Sequence, residues 1–215
     1  IGVEANVLDK ESLLKAKEFI NGKLGPIDIL INGAGGNSPM ATTKVEQMEE
    51  KDLDHLEDTF YGLQMEGFDK VYGLNFKGTL LPTMVFTVDM LKNKKGVILN
   101  ISSMNAFHPL TKIPAYSAAK ASVNNFTEWL AVHLAKVNVR VNGIAPDSVV
   151  LPDAGRTARL VSFASETPRA AAMLTMVSSV SRSNTSAFQS LMLVSRSLKL
   201  IPVDSRAIRD SALLL

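Results

Sequence analysis

Cysteine is absent from all 215 residues. That excludes a disulfide framework and any zinc site built on thiolates. An excess of one charge is also missing: 23 Lys and Arg stand against 21 Asp and Glu, a formal net charge of +2. Such a balance does not by itself draw a nucleic acid. No apolar run reaches the ~20 residues of a membrane-spanning helix. The opening Ile1-Gly2-Val3-Glu4 has no basic region and no apolar region after it, so it is not a signal peptide. It is not a Met either, and the expectation is that the natural N-terminus lies upstream. What remains is 46% hydrophobic and 20% charged residues, an ordinary globular balance. A cytoplasmic enzyme with no membrane partner is the expected class.

Other scarcities are local. Residues 1–146 hold fourteen Lys but one Arg, Arg140, whereas residues 147–215 hold seven Arg and one Lys, Lys199. Gly falls from twelve to one, Gly155, across the same boundary, and Ser rises from six to thirteen. The later segment lacks the glycines that punctuate turns. Its apolar patches, Met173–Val177 and Leu191–Val194, show no sustained period. Two domains of unequal character are therefore expected: a folded unit over 1–146 and an aberrant or poorly ordered tail over 147–215. The tail reads either as a Ser/Arg-rich extension or, the preferred reading, as an out-of-frame or chimeric segment.

Within 1–146, strands and helices alternate. Ala5–Leu8 suits a short strand, and Asp9 caps a helix with Leu13, Ala16, Phe19 and Ile20 at helical spacing. Ile27–Ile31 suits a strand buried on both faces, and it opens into the glycine-rich Asn32–Gly36. Residues 37–66 are acidic and polar, an excursion or lid. A long helix is expected over Phe68–Leu91, a strand over Val97–Ile101, a helix over Ala115–Lys136 and a strand over Val137–Ile144. This alternation predicts an α/β domain with a parallel sheet. Ligands of such sheets bind at the carboxyl ends of the strands. Asn32–Gly35, Ser103 and Pro146 all fall there.

Tyr116 and Lys120 lie four residues apart on a predicted helix and share one face. A tyrosine with a pKa of about 10 is a poor acid or base at neutral pH. A nearby ammonium favours the phenolate, so the pair can serve as a proton donor to a carbonyl oxygen. A serine at the mouth of the adjacent strand can hydrogen-bond the same oxygen. A Tyr-x-x-x-Lys spacing alone is equally the mark of an ordinary surface helix.

The surrounding residues change this. Asn32-Gly33-Ala34-Gly35, Asn75 in Leu74-Asn75-Phe76-Lys77-Gly78, and Asn100-Ile101-Ser102-Ser103 occur in that order. Thirteen residues after Ser103 comes Tyr116-Ser117-Ala118-Ala119-Lys120, and then Val139–Pro146. In these motifs residues 1–146 resemble the short-chain dehydrogenase/reductase family. The resemblance implies a Rossmann-like doubly wound parallel sheet, incomplete here because its first βαβ portion is missing. It implies NAD or NADP as cofactor, a small-molecule substrate and a homo-oligomeric parent that pairs through the two long helices. By the same resemblance Tyr116 is the general acid/base, and Lys120 lowers its pKa and holds the nicotinamide ribose. Ser103 orients the substrate, and Asn75 anchors a water relay to Lys120. Asn32, Ala34, Gly35 and Pro146 line the cofactor channel, and Asn6 and Val7 take the place of the family's Asp-hydrophobe pair beside the adenine. Ser102 is set aside because only Ser103 has the thirteen-residue spacing.

Ile31–Asn37, the long insert and Met104–Phe107 resemble more narrowly the D-mannonate oxidoreductase (fructuronate reductase) branch. A 3-oxoacyl-carrier-protein or gluconate reductase is the alternative within the family. A non-catalytic scaffold is the alternative outside it. The glycine-rich turn for the pyrophosphate and the residue that selects NAD over NADP are not found, and Asp147 follows Pro146 where the family has Gly. The chain as it stands is therefore expected to bind cofactor poorly and to turn over little. His108 and Trp129 read as a loop residue and a packing residue. The acidic run from Glu46 to Asp58 lacks metal-ligand spacing.

Overall fold

The computed structural model describes residues 1–146, 173–178 and 190–195. Its first strand, β1 (Gly2–Ala5), is followed by helix α1 (Lys10–Leu24) and strand β2 (Ile29–Gly33). Asp9 caps α1 through a bond from the Glu11 N–H, and Leu13, Ala16 and Ile20 are its buried stripe. The strand expected to run to Leu8 stops at Ala5. Asn6 turns the chain instead, because its Oδ1 accepts from the Leu8 N–H (2.9 Å).

The single helix expected over Phe68–Leu91 is broken into α2 (Met65–Tyr72), a π-turn (Gly73–Lys77), α3 (Gly78–Phe86) and α4 (Val88–Asn93). Both breaks have local causes. Asn75 Nδ2 donates to the Val71 carbonyl (2.8 Å), the acceptor that its own backbone N–H would otherwise use. At Thr87, between α3 and α4, the side-chain hydroxyl donates to the Thr83 carbonyl (2.7 Å), and the Thr87 N–H reaches the same acceptor only at 3.3 Å. Strand β3 (Gly96–Ile101) leads into helix α5 (Pro114–Leu134), and strand β4 (Val139–Ile144) follows it.

The sheet order is β1-β6-β5-β2-β3-β4, with β5 (Met173–Ser178) and β6 (Ser190–Ser195) between β1 and β2. β2, β3, β4 and β5 run parallel, and β6 is antiparallel to both its neighbours. The two apolar patches that showed no period in sequence thus lie in strands. The backbone edges of β1 and β2 would otherwise lack partners. The rest of the expected tail lies outside the described residues.

The insert is seated rather than free. The Gln64 N–H bonds the Met40 carbonyl (2.9 Å), so its ends meet, and the Thr43 N–H bonds the Lys112 carbonyl (3.0 Å) just ahead of α5. Ala41 is fully buried in a cluster with Val71, Ala115 and Ala119, and Tyr116 packs against it. Between these anchors the acidic residues form short 3₁₀ turns. Trp129 is not a core residue: it is 56% exposed and stacks on Phe126 and His133 along the outer face of α5. Among the described residues no helix is long and apolar enough to cross a membrane, and no acidic or histidine cluster could hold a metal.

Candidate active site

Three strand ends converge on one edge. β2 ends at Gly33, β3 at Ile101 and β4 at Ile144, and their parallel pairing places the residues that follow side by side. The Ser102 N–H donates to the Ile144 carbonyl (2.7 Å), and the Met104 N–H to the Pro146 carbonyl (3.3 Å). Pro146, itself exposed, thereby borders the turn that carries Ser103.

Ser103 caps that turn: its Oγ accepts from the Asn105 N–H (3.2 Å). Ser103 also acts on the neighbouring Tyr116 phenol, whose ionised form it favours. Tyr116, in the first turn of α5, is half-buried. Burial raises its pKa above the usual phenol value, and Ser103 offsets only part of that. This departs from the expectation that Lys120 would draw the phenol down. The Lys120 ammonium donates instead to the Ile101 carbonyl (2.8 Å) and lies 5.7 Å from the centre of the Tyr116 ring. Lys120 is 4% exposed, and burial lowers its pKa to about 8.

Asn75 completes the corner. It is fully buried, its Nδ2 donates to the Gly36 carbonyl (2.7 Å), and its Oδ1 accepts from the Gly36 N–H (3.2 Å). The π-turn is what aims this side chain at the β2 turn. Gly35 lies where these groups meet: a Cβ there would stand 2.7 Å from Asn75 Oδ1 and 3.1 Å from Lys120 Nζ. Gly35→Ala is expected to cost about 1–3 kcal/mol in chemical denaturation, because Asn75 is held by its own bonds and cannot yield. An unchanged midpoint would mean that the corner is looser than described.

The remaining expected ligands divide. Asn32 does not line a channel. It is 2% exposed, and its Nδ2 is committed to Thr83 and Asn100 inside the core (both 2.9 Å). Val7 and Ala34 are likewise buried in the main core, and Val7 abuts Gly78. Asn6 is exposed, with its Oδ1 engaged by Leu8. His108 is exposed on the loop after Ser103. Ser102, set aside on spacing, has a different function: its Oγ donates to the Lys120 carbonyl (3.3 Å) and ties α5 to β3. The polar run at the end of an otherwise apolar strand was the available signal for it.

The site fits one end of a dinucleotide. Of the three N–H donors of Lys120, one goes to Ile101, so donors remain for ribose hydroxyls. The pyrophosphate end has no counterpart among the described residues. The Asn32–Gly36 turn leads into a three-residue 3₁₀ turn, Pro39–Ala41, and not into the N-terminus of a helix.

Fold and site together define an α/β domain with a parallel sheet and a Ser-Tyr-Lys-Asn constellation at its carboxyl edge. The chain belongs to the short chain dehydrogenase family, whose profile matches residues 1–159. It is 52% identical over 147 residues to an uncharacterised oxidoreductase of Haemophilus influenzae, covering 68% of this chain and 51% of that protein. It is 51% identical over 144 residues to the uncharacterised oxidoreductase UxuB of Bacillus subtilis strain 168, covering 67% and 51%. A crystal structure from Haemophilus influenza with bound NAD, provisionally assigned as a D-mannonate oxidoreductase, superposes with a TM-score of 0.64 at 52% identity, covering 68% of this chain and 52% of that one. The chain spans about half the length of the curated relatives it matches.

Proposed function

We propose that the protein is the catalytic-residue half of an NAD(P)-dependent oxidoreductase acting on a CH–OH/C=O pair, with D-fructuronate and D-mannonate as the substrate pair. The observation that carries this reading is the meeting of Lys120 and Asn75 at Gly35, with the Tyr116 ring 5.7 Å from the Lys120 ammonium and Ser103 at the end of the adjacent strand, all at the carboxyl edge of a parallel sheet. The similarity to the NAD-bound Haemophilus structure supports the cofactor and the sugar-acid branch.

The bound nicotinamide cofactor would supply the hydride. Tyr116 donates its proton to the substrate carbonyl oxygen. Ser103, whose own oxygen is held by Asn105, presents its hydroxyl to the same oxygen. Lys120 holds the nicotinamide ribose and faces Asn75 across Gly35. We also propose that the parent self-associates through α3 and α5, which expose Met84 (67%), Trp129 (56%) and Val132 (80%).

The test is a chimera in which residues 1–146 replace the matching segment of the Haemophilus relative. NADH and NADPH oxidation is followed with D-fructuronate and with a panel of other ketones. Turnover confined to sugar-acid ketones is the expected result. Turnover on an acyl or steroid ketone alone would keep the family and discard the substrate.

A further inference from the structure

The helix that bears Tyr116 and Lys120 is joined to the turn that bears Asn75 by an unbroken line of buried hydrogen bonds. On α5, the Thr127 hydroxyl donates to the Val123 carbonyl (2.7 Å), so its oxygen can only accept, and it accepts from Asn100 Nδ2 (2.9 Å). Asn100 Oδ1 accepts from Asn32 Nδ2 (2.9 Å), and Asn32 gives its other amide proton to Thr83 Oγ1 (2.9 Å). The Thr83 hydroxyl donates to the Thr79 carbonyl (2.7 Å), and the Thr79 hydroxyl to the Asn75 carbonyl (2.9 Å). None of the five side chains is more than 7% exposed.

Each hydroxyl has one proton and spends it on a helix carbonyl, which fixes the direction of every amide in the line. Sheet register supports the arrangement. Asn32 pairs with Asn100, and Asn100 with Gly143, where a Cβ would come within 3.6 Å of Thr127 Cγ2. Asn100 is also the first of three successive residues that hold α5. Ile101 accepts from Lys120 Nζ, and Ser102 donates to the Lys120 carbonyl. Lys120 and Thr127 are seven residues apart, about two helical turns, so these attachments share a helix face.

We propose that Thr127, Asn100, Asn32, Thr83 and Thr79 are positioning residues that set the separation between Lys120 on α5 and Asn75 on the π-turn. The two groups meet at Gly35 with no spare room, so a small slide of either helix would open the corner to water. The proposal takes its site from the proposed function, but its test needs neither cofactor nor substrate, so the two can fail separately.

The readout is the ionisation midpoint of Lys120, followed in the full chain by NMR of the lysine side-chain carbons. Tyr116 is the titratable neighbour on its own helix. Ile101 and Ser102 from β3, Asn75 from the π-turn and Gly35 from the β2 turn carry no charge. Thr127→Val is expected to move the midpoint upward from about 8 toward the ordinary 10.5. A shift of roughly one unit is expected, since partial hydration releases part of a burial shift that can reach several units. Thr127→Ser should restore it. Val123→Ala, a truncation of a buried side chain on the same helix that leaves every bond in the line, should not move it. An unmoved midpoint in Thr127→Val, or an equal move in Val123→Ala, would overturn the proposal. If Thr127→Val does not fold, Thr83→Val breaks the line at its other end. The same upward move is then expected, and an unmoved midpoint overturns the proposal.

Discussion

In the chimera, Tyr116→Phe is expected to lower kcat by about 10²–10⁴-fold while leaving cofactor binding nearly unchanged. The substitution removes one oxygen and keeps the ring that packs against Ala41, Ala115 and Ala119. What is lost is the proton donor. Burial holds the Tyr116 phenol above its usual pKa, so the group is protonated throughout the neutral range and suited to act as an acid toward a carbonyl. Reduction should therefore persist up to high pH and fall only as the phenol ionises. The reverse reaction needs the phenolate and should rise over that same range. A Phe variant that kept more than a tenth of the parent kcat would place the proton donor elsewhere.

Lys120→Met should have opposite effects on stability and activity. Turnover is expected to be lost, since the ribose donors and the bond to Ile101 go with the ammonium. Stability should rise, by about 1–3 kcal/mol near pH 7, because a buried charge is replaced by an apolar side chain of similar length. The sign follows from linkage. The unfolded chain keeps the lysine proton up to about 10.5, whereas the folded chain releases it from about 8. Between those values the unfolded state binds more protons, so the stability contributed by this group increases with pH. At pH 7 the folded state bears the full burial cost. The difference between the two proteins in urea denaturation should thus be largest below pH 8 and shrink toward pH 10.5. A difference independent of pH would mean that Lys120 is hydrated in the folded state.

The chemistry of the site was legible in the sequence because it rests on residue types at fixed spacing. Ser103, Tyr116 and Lys120 depend on one strand end and one helix turn, and both elements formed within a few residues of their expected bounds. The residues misread were those whose surroundings lie far away in sequence. Asn32 sits in a glycine-rich turn motif and reads as a ligand, yet its partners are Thr83 and Asn100, 51 and 68 residues away. The strand period puts it on the same face as the buried Leu30, but nothing nearby in sequence names the partners. The π-turn was hidden for another reason. Asn75 interrupts a helix by taking a backbone acceptor with its side chain, an event that apolar periodicity does not register. β5 and β6 were not foreseen because their pairing answers the unpaired edges of β1 and β2 rather than any pattern of their own. The direction of the Tyr116 shift was misjudged for a geometric reason. Four residues of helix bring Lys120 near the ring, but its ammonium turns to the Ile101 carbonyl and not to the phenol oxygen.

In the proposed reaction these residues deliver a proton to a carbonyl whose carbon receives a hydride. The most direct measurement supplies the chimera with NADH deuterated at the transferable position and a sugar-acid ketone, and reads the product by mass spectrometry. The expected product is an alcohol carrying one deuterium at the former carbonyl carbon, formed with Tyr116 and not in Tyr116→Phe. Bound cofactor with no labelled alcohol from any ketone, or equal labelling in the Phe variant, would contradict it.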